Sequence, residues 1–131
     1  MSVTPQYRDY VVEQLSCVGR VAARNMFGGV GLYLHGVFFA LIARDVLYLK
    51  VDDANRPEYE TAGMAPFKPY PNKRTTMPYY ELPAEVLDDA EQLREWARNA
   101  WDAANRARTV RLGQDKAGGA PGIGRRISGA R

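Results

Sequence analysis

The sequence contains few of the side chains that form disulfides, bind transition metals or attack substrates. Cys17 is the only cysteine in 131 residues, so neither an internal disulfide nor a cysteine-based zinc site can form. His35 is the only histidine, whereas a metal site needs several ligands and a general base needs an orienting partner. We therefore interpret Cys17 as a small core residue and His35 as a surface turn residue. The sequence predicts no catalytic residues, no cofactor and no metal, and hence no enzyme.

Long apolar runs are also absent. No stretch approaches the roughly 18 apolar residues that a membrane-spanning helix requires, and no signal peptide opens the chain. We therefore expect a cytoplasmic protein with no membrane segment.

The net charge of +3 is small, but it is unevenly distributed. Residues 1–105 carry 11 basic against 14 acidic residues, whereas residues 106–131 carry seven basic residues against Asp115 alone. From Gly113 onwards Gly, Ala and Arg dominate without an apolar face, a composition typical of disorder. We therefore divide the chain into a folded domain, residues 1–108, and a basic, Gly/Arg-rich disordered tail, residues 109–131.

Three short apolar runs in the first half predict a meander of antiparallel strands. They cover Val30–Leu34, Val37–Ile42 and Val46–Val51, and each is too short for a helix and rich in β-branched and aromatic residues. His35-Gly36 suits a two-residue hairpin. Ala43-Arg44-Asp45 is interpreted as a three-residue loop, although it suits one less well because it contains no glycine. The third run alternates, so we expect one face of the sheet to pack on a core and the other to meet solvent. The central run hardly alternates, which is expected for a strand that is covered on both faces.

Helices are predicted on both sides of this meander. Thr4-Pro5 begins an amphipathic helix that Gly19 ends. Arg20–Met26 follows as a first strand, and its polarity predicts an edge strand or a partly exposed one. Asp52-Asp53 can cap a short helix over residues 55–62.

The second half is predicted to contain a loop, a strand and a long helix. Four prolines make residues 64–78 an irregular loop, and Met77–Leu82 reads as an edge strand because Pro78 donates no backbone hydrogen bond. Asp88 or Asp89 caps a long helix with an apolar stripe. The stripe consists of Leu93, Trp96, Ala97, Ala100, Trp101 and Ala104. This order of elements predicts an α+β two-layer sandwich in which helices pack on an antiparallel sheet.

Several short motifs occur in a fixed order over residues 4–105. They are RxMFGGVGLY at 24–33, FxALI at 38–42, LYLKV at 47–51, YxxxGxxPF at 59–67, MxYYxxPxxVLD at 77–88 and the helix that bears Trp96. In this order they resemble the N-terminal domain of the TfoX/Sxy competence regulators. The resemblance implies a fold similar to type III secretion chaperones, an α/β two-layer sandwich. It also implies a role in expression of natural-competence genes alongside a cyclic-AMP-responsive activator. Full-length regulators carry a second, helical C-terminal domain, and we expect a stand-alone form here.

The glycine-rich motif in this stretch is interpreted as structural. It lacks the Gly-Lys-Ser/Thr ending of a P-loop, and no helix follows that could offer its N-terminus to a phosphate. Glycines in strands more often mark a bulge or a close approach of backbones. The residues of the motif are Met26, Phe27, Gly28, Gly29 and Gly31.

Two segments are candidates for contacts with a partner. Phe67, Lys68, Tyr70, Lys73 and Arg74 interleave aromatic and basic side chains without periodicity, so they could stack on bases or dock onto a protein. A solvated, proline-stiffened loop is the alternative.

The basic C-terminal region, residues 106–131, supplies the second segment, with candidate phosphate contacts at Arg106, Arg108, Arg111, Arg125 and Arg126. The segment 121–126 resembles the hairpin of helix-hairpin-helix modules, but the flanking helices are missing, so a loosely acting basic tail is the preferred interpretation.

Two functional hypotheses result. The first is a non-enzymatic regulatory domain that influences transcription by binding a protein of the transcription machinery. A homodimer is a further possibility, by analogy with secretion chaperones. The alternative is direct nucleic-acid binding through the basic tail.

Overall fold

The computed structural model describes residues 3–26, 28–70 and 73–119. In chain order the elements are α1 (Pro5–Gln14) with a 3₁₀ turn at Leu15–Cys17, β1 (Val21–Met26), β2 (Gly29–Leu34), β3 (Val37–Ala43), β4 (Val46–Lys50), α2 (Arg56–Thr61), β5 (Pro66–Phe67), β6 (Met77–Glu81), α3 (Ala84–Leu87) and α4 (Ala90–Gly119). The strands form one six-stranded sheet in the order β1-β2-β3-β4-β6-β5, and every neighbouring pair is antiparallel. The predicted α+β two-layer sandwich is therefore confirmed.

The helices all pack on one face of this sheet, where the main core lies. Val11 and Leu15 from the first helical segment and Leu93, Ala97 and Ala100 from α4 are fully buried there. The strands contribute Val30, Leu32, Leu34, Phe39, Ala40, Ile42, Leu47 and Leu49, and α2 and α3 contribute Tyr59, Val86 and Leu87. The apolar stripe predicted for α4 thus forms the inner surface of the helical layer.

A β-bulge explains why the central strand does not alternate. The pairing of β2 with β3 shifts after Leu32↔Ala40 to Tyr33↔Phe38, so Phe39 is the extra residue. Phe39 and Ala40 therefore both join the main core, whereas Phe38 and Leu41 belong to the opposite face. The strand is consequently buried along both faces.

The two hairpin turns predicted within the meander have the same length. His35 and Gly36 have φ angles of 53° and 77°, as a two-residue primed turn requires. Arg44 and Asp45 also have positive φ, 53° and 55°, so the three-residue loop predicted at Ala43 is wrong. The Asp45 carboxylate accepts hydrogen bonds from the Thr4 backbone nitrogen and hydroxyl at 2.8 and 3.1 Å. These bonds stabilise the second turn, in which two residues other than glycine have positive φ.

The edges of the sheet differ from the prediction on one side. β1 is an edge strand, as expected, but β6 is not, because the two-residue strand β5 lies outside it. Pro78 is tolerated because it lies just beyond Lys50↔Tyr79, the last β4–β6 pair, and its carbonyl accepts a hydrogen bond from the Val51 nitrogen at 2.9 Å. The irregular loop predicted for residues 64–78 therefore contains a short strand.

The long helix begins as predicted and ends later. The Asp89 carboxylate accepts hydrogen bonds from the backbone nitrogens of Glu91 and Gln92 at 3.1 and 3.2 Å, which is an N-cap. The helix continues to Gly119, past Gly113, where the sequence predicts disorder. Ala, Arg, Leu, Gln and Lys in this part are good helix formers, which accounts for the extension. Residues 120–131 of the predicted tail lie outside the described residues.

Candidate interaction surface on the open face of the sheet

The face of the sheet opposite the helices carries a second apolar cluster. Leu41, Ala43, Phe67 and Tyr79 are buried in it, and Phe38, Tyr48 and Met77 pack against them half-buried. Further side chains lie on the same side of the sheet, namely Arg24, Met26, Tyr33 and Lys50 of the strands and Tyr70 of the adjoining loop. We call the cluster together with these side chains the open face. None of the four described helices packs on it, since their apolar residues join the main core.

Aromatic rings on the open face form a connected set of three and a further pair. The ring centroids of Tyr33 and Phe38 are 5.3 Å apart, and those of Phe38 and Tyr79 are 5.5 Å apart. Tyr48 and Phe67 form a third pair at 4.8 Å. Separations of this size are typical of favourable aromatic pairs, so the open face is an ordered packing surface.

Two cations lie over these rings. The Arg24 guanidinium is 5.1 Å from the centroid of Tyr33, and Lys50 Nζ is 5.1 Å from that of Tyr79. Burial, with a smaller contribution from the charge of Glu81, raises the pKa of Tyr48. The face therefore combines neutral aromatic rings with positive charge.

A groove of ≈ 590 Å³ opens at one end of this surface. Its lining residues are Met26, Gly29, Val30, Phe38, Leu41, Ile42, Ala43, Phe67, Pro69, Tyr70, Thr75 and Met77. Only Tyr70 and Thr75 bring polar side-chain atoms to this lining. The volume lies within the range of about 300–1,000 Å³ that is common for ligand pockets.

The five candidate contacts of the predicted loop lie beside this groove but differ in exposure. Phe67 is buried in the apolar cluster of the open face, whereas Lys68, Lys73 and Arg74 are exposed. Tyr70 is 58% exposed, with Lys73 Nζ 5.3 Å from its ring centroid. The structure thus brings the loop to the sheet, a relationship that sequence reasoning missed. The one signal of this relationship in the sequence was the alternation in β4, which places Tyr48 and Lys50 on the face away from the main core.

The glycine motif forms part of the groove wall. Its glycines lie where neighbouring atoms approach closely, as the structural interpretation of the motif predicts. A Cβ atom on Gly29 would lie 2.6 Å from the carbonyl oxygen of Ile42, and one on Gly31 would lie 2.6 Å from Met26 Cε. Gly28 has a φ of 81°, in the left-handed region that favours glycine. Phe27 lies outside the described residues.

The candidate phosphate contacts are not brought together. Arg106 forms an ion pair with Asp52, with Nε 2.7 Å from Oδ2, and Arg108 is exposed on α4. The side chain of Arg111 is not among those described, and Arg125 and Arg126 lie outside the described residues. Phosphate binding by these residues stays a prediction.

Reactive groups are few in the described part of the chain. No three His, Cys, Asp or Glu side chains are grouped there in a way that could hold a metal ion. Burial raises the pKa of the Cys17 thiol, which disfavours the nucleophilic thiolate. Among these residues, no helix has the length and apolarity needed to cross a bilayer.

Comparison with known proteins identifies the domain. Residues 13–104 match the family model of the TfoX N-terminal domain, a region that runs from the end of α1 to the last core residue of α4. No curated protein shows significant similarity to the chain. The match covers more than half of the 131 residues and agrees with the motifs and the fold, and the chain therefore belongs to the TfoX N-terminal domain family.

Proposed function

We propose that this protein is a competence-associated regulator without enzymatic activity, which acts on transcription by binding a protein partner. Membership of the TfoX N-terminal domain family supports the regulatory role. The partner is proposed to belong to the transcription machinery and to contact the open face of the sheet.

The open face is the observation that supports a protein partner. It is a contiguous apolar and aromatic surface that none of the described helices covers. Four side chains of its cluster are buried and three are half-buried, whereas the ring of Tyr70 is 58% exposed. Apolar surface that the fold leaves uncovered marks interaction sites, and aromatic residues, Met and Arg are enriched in protein interfaces. The open face contains all three, in Phe38, Met77 and Arg24.

The titratable groups support a non-enzymatic role. Hydrogen bonds from Arg106 hold the pKa of Asp52 low, and hydrogen bonds from Gln92 hold that of Asp89 low. The ion pair and the helix cap account for both lowered pKa values, whereas a carboxyl that acts as a general acid at neutral pH has a raised value. The groove itself is apolar, with no ionisable lining residue other than Tyr70.

The test measures transcript levels in cells of the source organism from which the gene has been deleted. The deletion is complemented with the wild type, with Tyr48→Ala/Tyr70→Ala on the open face, or with Tyr10→Ala as a control. Tyr10 is also an exposed tyrosine, at 40%, but it lies on α1 in the helical layer. Circular dichroism of each purified variant checks that it is folded.

We expect the deletion to change transcript levels of a defined set of genes, and the wild type and the Tyr10 variant to restore them. The open-face variant should fail to do so while remaining folded and equally abundant. Full restoration by the open-face variant, or a deletion that changes no transcripts, would overturn the proposal.

Direct nucleic-acid binding through the tail is the second candidate function. One observation favours it: α4 continues from Ala104, its last core residue, to Gly119, and beyond Arg106, which pairs with Asp52, this extension contains Arg108, Arg111 and Lys116. A basic segment of this kind suits sequence-independent contacts to phosphates.

A further inference from the structure

The two layers of the fold differ in the sign of their charge. Of the 14 acidic residues in residues 1–105, all but Glu81 lie on helices or in turns. Glu81 shares the open side of β6 with Tyr79, two residues before it, and faces Tyr48 on β4. The basic residues of the open face and of its adjoining loop are Arg24, Lys50, Lys68, Lys73 and Arg74. Within residues 1–105 the helices and connecting turns thus carry 13 acidic against six basic residues, whereas the open face and its adjoining loop carry five basic residues against Glu81.

The basic residues border the apolar groove. Lys68 lies between Phe67 and Pro69, two lining residues, and Arg74 precedes Thr75, a third. Both side chains are exposed, as is that of Lys73. We call Lys68, Lys73 and Arg74 the basic rim. An apolar floor with a basic rim is complementary to a ligand that combines apolar groups with negative charge.

From this complementarity we infer that the groove binds an acidic amphipathic peptide segment of the protein partner. Apolar side chains of the segment enter the groove, and its Asp or Glu carboxylates face the basic rim. The inference rests on the proposed function, since it states which chemistry the partner presents to the open face. Apolar burial supplies the affinity, and the rim charges orient the segment and raise its association rate.

A single-stranded nucleic acid would also be anionic, but the groove suits it less well. Bases have polar edges, and the lining offers only the side chains of Tyr70 and Thr75 as hydrogen-bonding partners. Stacking needs exposed ring faces, whereas Phe67 of the lining is buried and Tyr70 already has Lys73 Nζ 5.3 Å from its ring centroid. Apolar peptide side chains bring no such unsatisfied groups.

The experiment selects ligands for the full chain from a phage-displayed library of random twelve-residue peptides. Enriched peptides are synthesised with a fluorescent label, and their affinity is measured by anisotropy at two salt concentrations. A labelled random-sequence single-stranded DNA serves as the nucleic-acid probe. Three forms of the protein are compared: the wild type, Lys68→Glu/Lys73→Glu/Arg74→Glu, and Arg94→Glu/Arg98→Glu/Arg108→Glu.

The two triple variants are matched. Each reverses three exposed cations and changes the net charge equally, but Arg94, Arg98 and Arg108 lie on α4 in the helical layer. Because all six side chains are exposed, both variants should fold, which circular dichroism confirms.

We expect enriched peptides to combine large apolar residues with Asp or Glu. The rim variant should bind them at least about tenfold more weakly at low salt, since three weak charge contacts together amount to roughly that factor. The α4 variant should bind within about twofold of the wild type.

Enrichment of basic peptides, of peptides without apolar residues or of none at all would overturn the inference, as would equal loss in both variants. Tight binding of the DNA that the rim variant alone loses would assign the rim to nucleic acid instead. If one of these results is obtained and Tyr48→Ala/Tyr70→Ala still fails to restore transcript levels, the inference is wrong and the proposed function stands. If that variant restores them, the inference and the proposed function are both wrong.

Discussion

Asp52 accepts two hydrogen bonds from the guanidinium of Arg106, at 2.7 Å from Nε to Oδ2 and at 3.0 Å from Nη2 to Oδ1. Asp52 lies in the turn between β4 and α2, and Arg106 lies on α4 just beyond its last core residue. The pair therefore ties α4 to a turn 54 residues earlier in the chain. It lowers the pKa of Asp52 and raises that of Arg106.

The first prediction concerns the stability that this pair provides. The side chains of Asp52 and Arg106 are 30% and 50% exposed, so solvent screens the interaction. We expect Asp52→Asn to lower the free energy of unfolding at pH 7 by about 0.5–1 kcal/mol, the range of exposed pairs with good geometry. Urea denaturation measures this change. Asp53→Asn is the control, since Asp53 is 97% exposed and pairs only with the neighbouring Arg56.

The same pair predicts a pH dependence. A carboxyl whose pKa is lower in the folded than in the unfolded state stabilises the fold above its unfolded pKa, near 4, and this contribution is lost as the pH falls through the folded value. The stability difference between the wild type and Asp52→Asn should therefore shrink below about pH 4. A difference that stays constant down to pH 2 would show that the ion pair is not its source.

The second prediction concerns Tyr59, the largest fully buried side chain. Its hydroxyl has no hydrogen-bond partner among the described residues, and burial raises its pKa. Its ring packs edge-on against Trp96 at 4.7 Å, a contact that phenylalanine retains. Because an unsatisfied buried hydroxyl costs about 1–3 kcal/mol, we expect Tyr59→Phe to raise the free energy of unfolding by about 1 kcal/mol.

Thermal and urea denaturation of Tyr59→Phe check this expectation, with Tyr70→Phe as the control at an exposed ring. The control should leave stability unchanged. A destabilised Tyr59→Phe would mean that the hydroxyl does have a partner.

The third prediction separates the two glycines of the groove wall. A Cβ atom at Gly29 would meet the backbone carbonyl of Ile42, which cannot move without disturbing the sheet, whereas at Gly31 it would meet the flexible end of Met26. We expect Gly29→Ala to lower the free energy of unfolding by about 1–3 kcal/mol and Gly31→Ala to lower it by less. Equal effects in urea denaturation would contradict the close approach at Gly29.

Local patterns in the sequence predict the elements of this fold well, because strand alternation and helical spacing are properties of neighbouring residues. The outward positions of Tyr48 and Lys50 predict two different faces for β4. They do not tell which elements cover each face, because that depends on where β5, β6 and the helices pack. The bulge at Phe39 likewise depends on the register with β2.

The same limit applies to the candidate site. Asp52 is read from the sequence as a helix cap and Arg106 as a phosphate contact, yet the two residues bind each other across the fold. Phe67 is read as a loop residue, but its ring packs against Tyr48 of the sheet. Contacts between residues far apart in the chain leave no periodic signal, so the open face could be identified only from the structure.

The fourth prediction tests the alternative function, direct binding of nucleic acid by the tail. The Arg106–Asp52 pair shows where the chain can be shortened safely: a variant that ends at Thr109 keeps this pair and the core residues of α4. It lacks Arg111, Lys116, Arg125, Arg126 and Arg131. If the tail contacts phosphates, the full chain should bind duplex DNA with a steep salt dependence, and the shortened chain should lose most of this binding. Each lost contact reduces the slope of log affinity against log salt by about 0.9.

The rim variant, Lys68→Glu/Lys73→Glu/Arg74→Glu, keeps the tail, so it should bind duplex DNA like the wild type if the tail holds the phosphate contacts. Equal binding by the full and shortened chains, with loss in the rim variant, would instead place the phosphate contacts at the open face and exclude the tail.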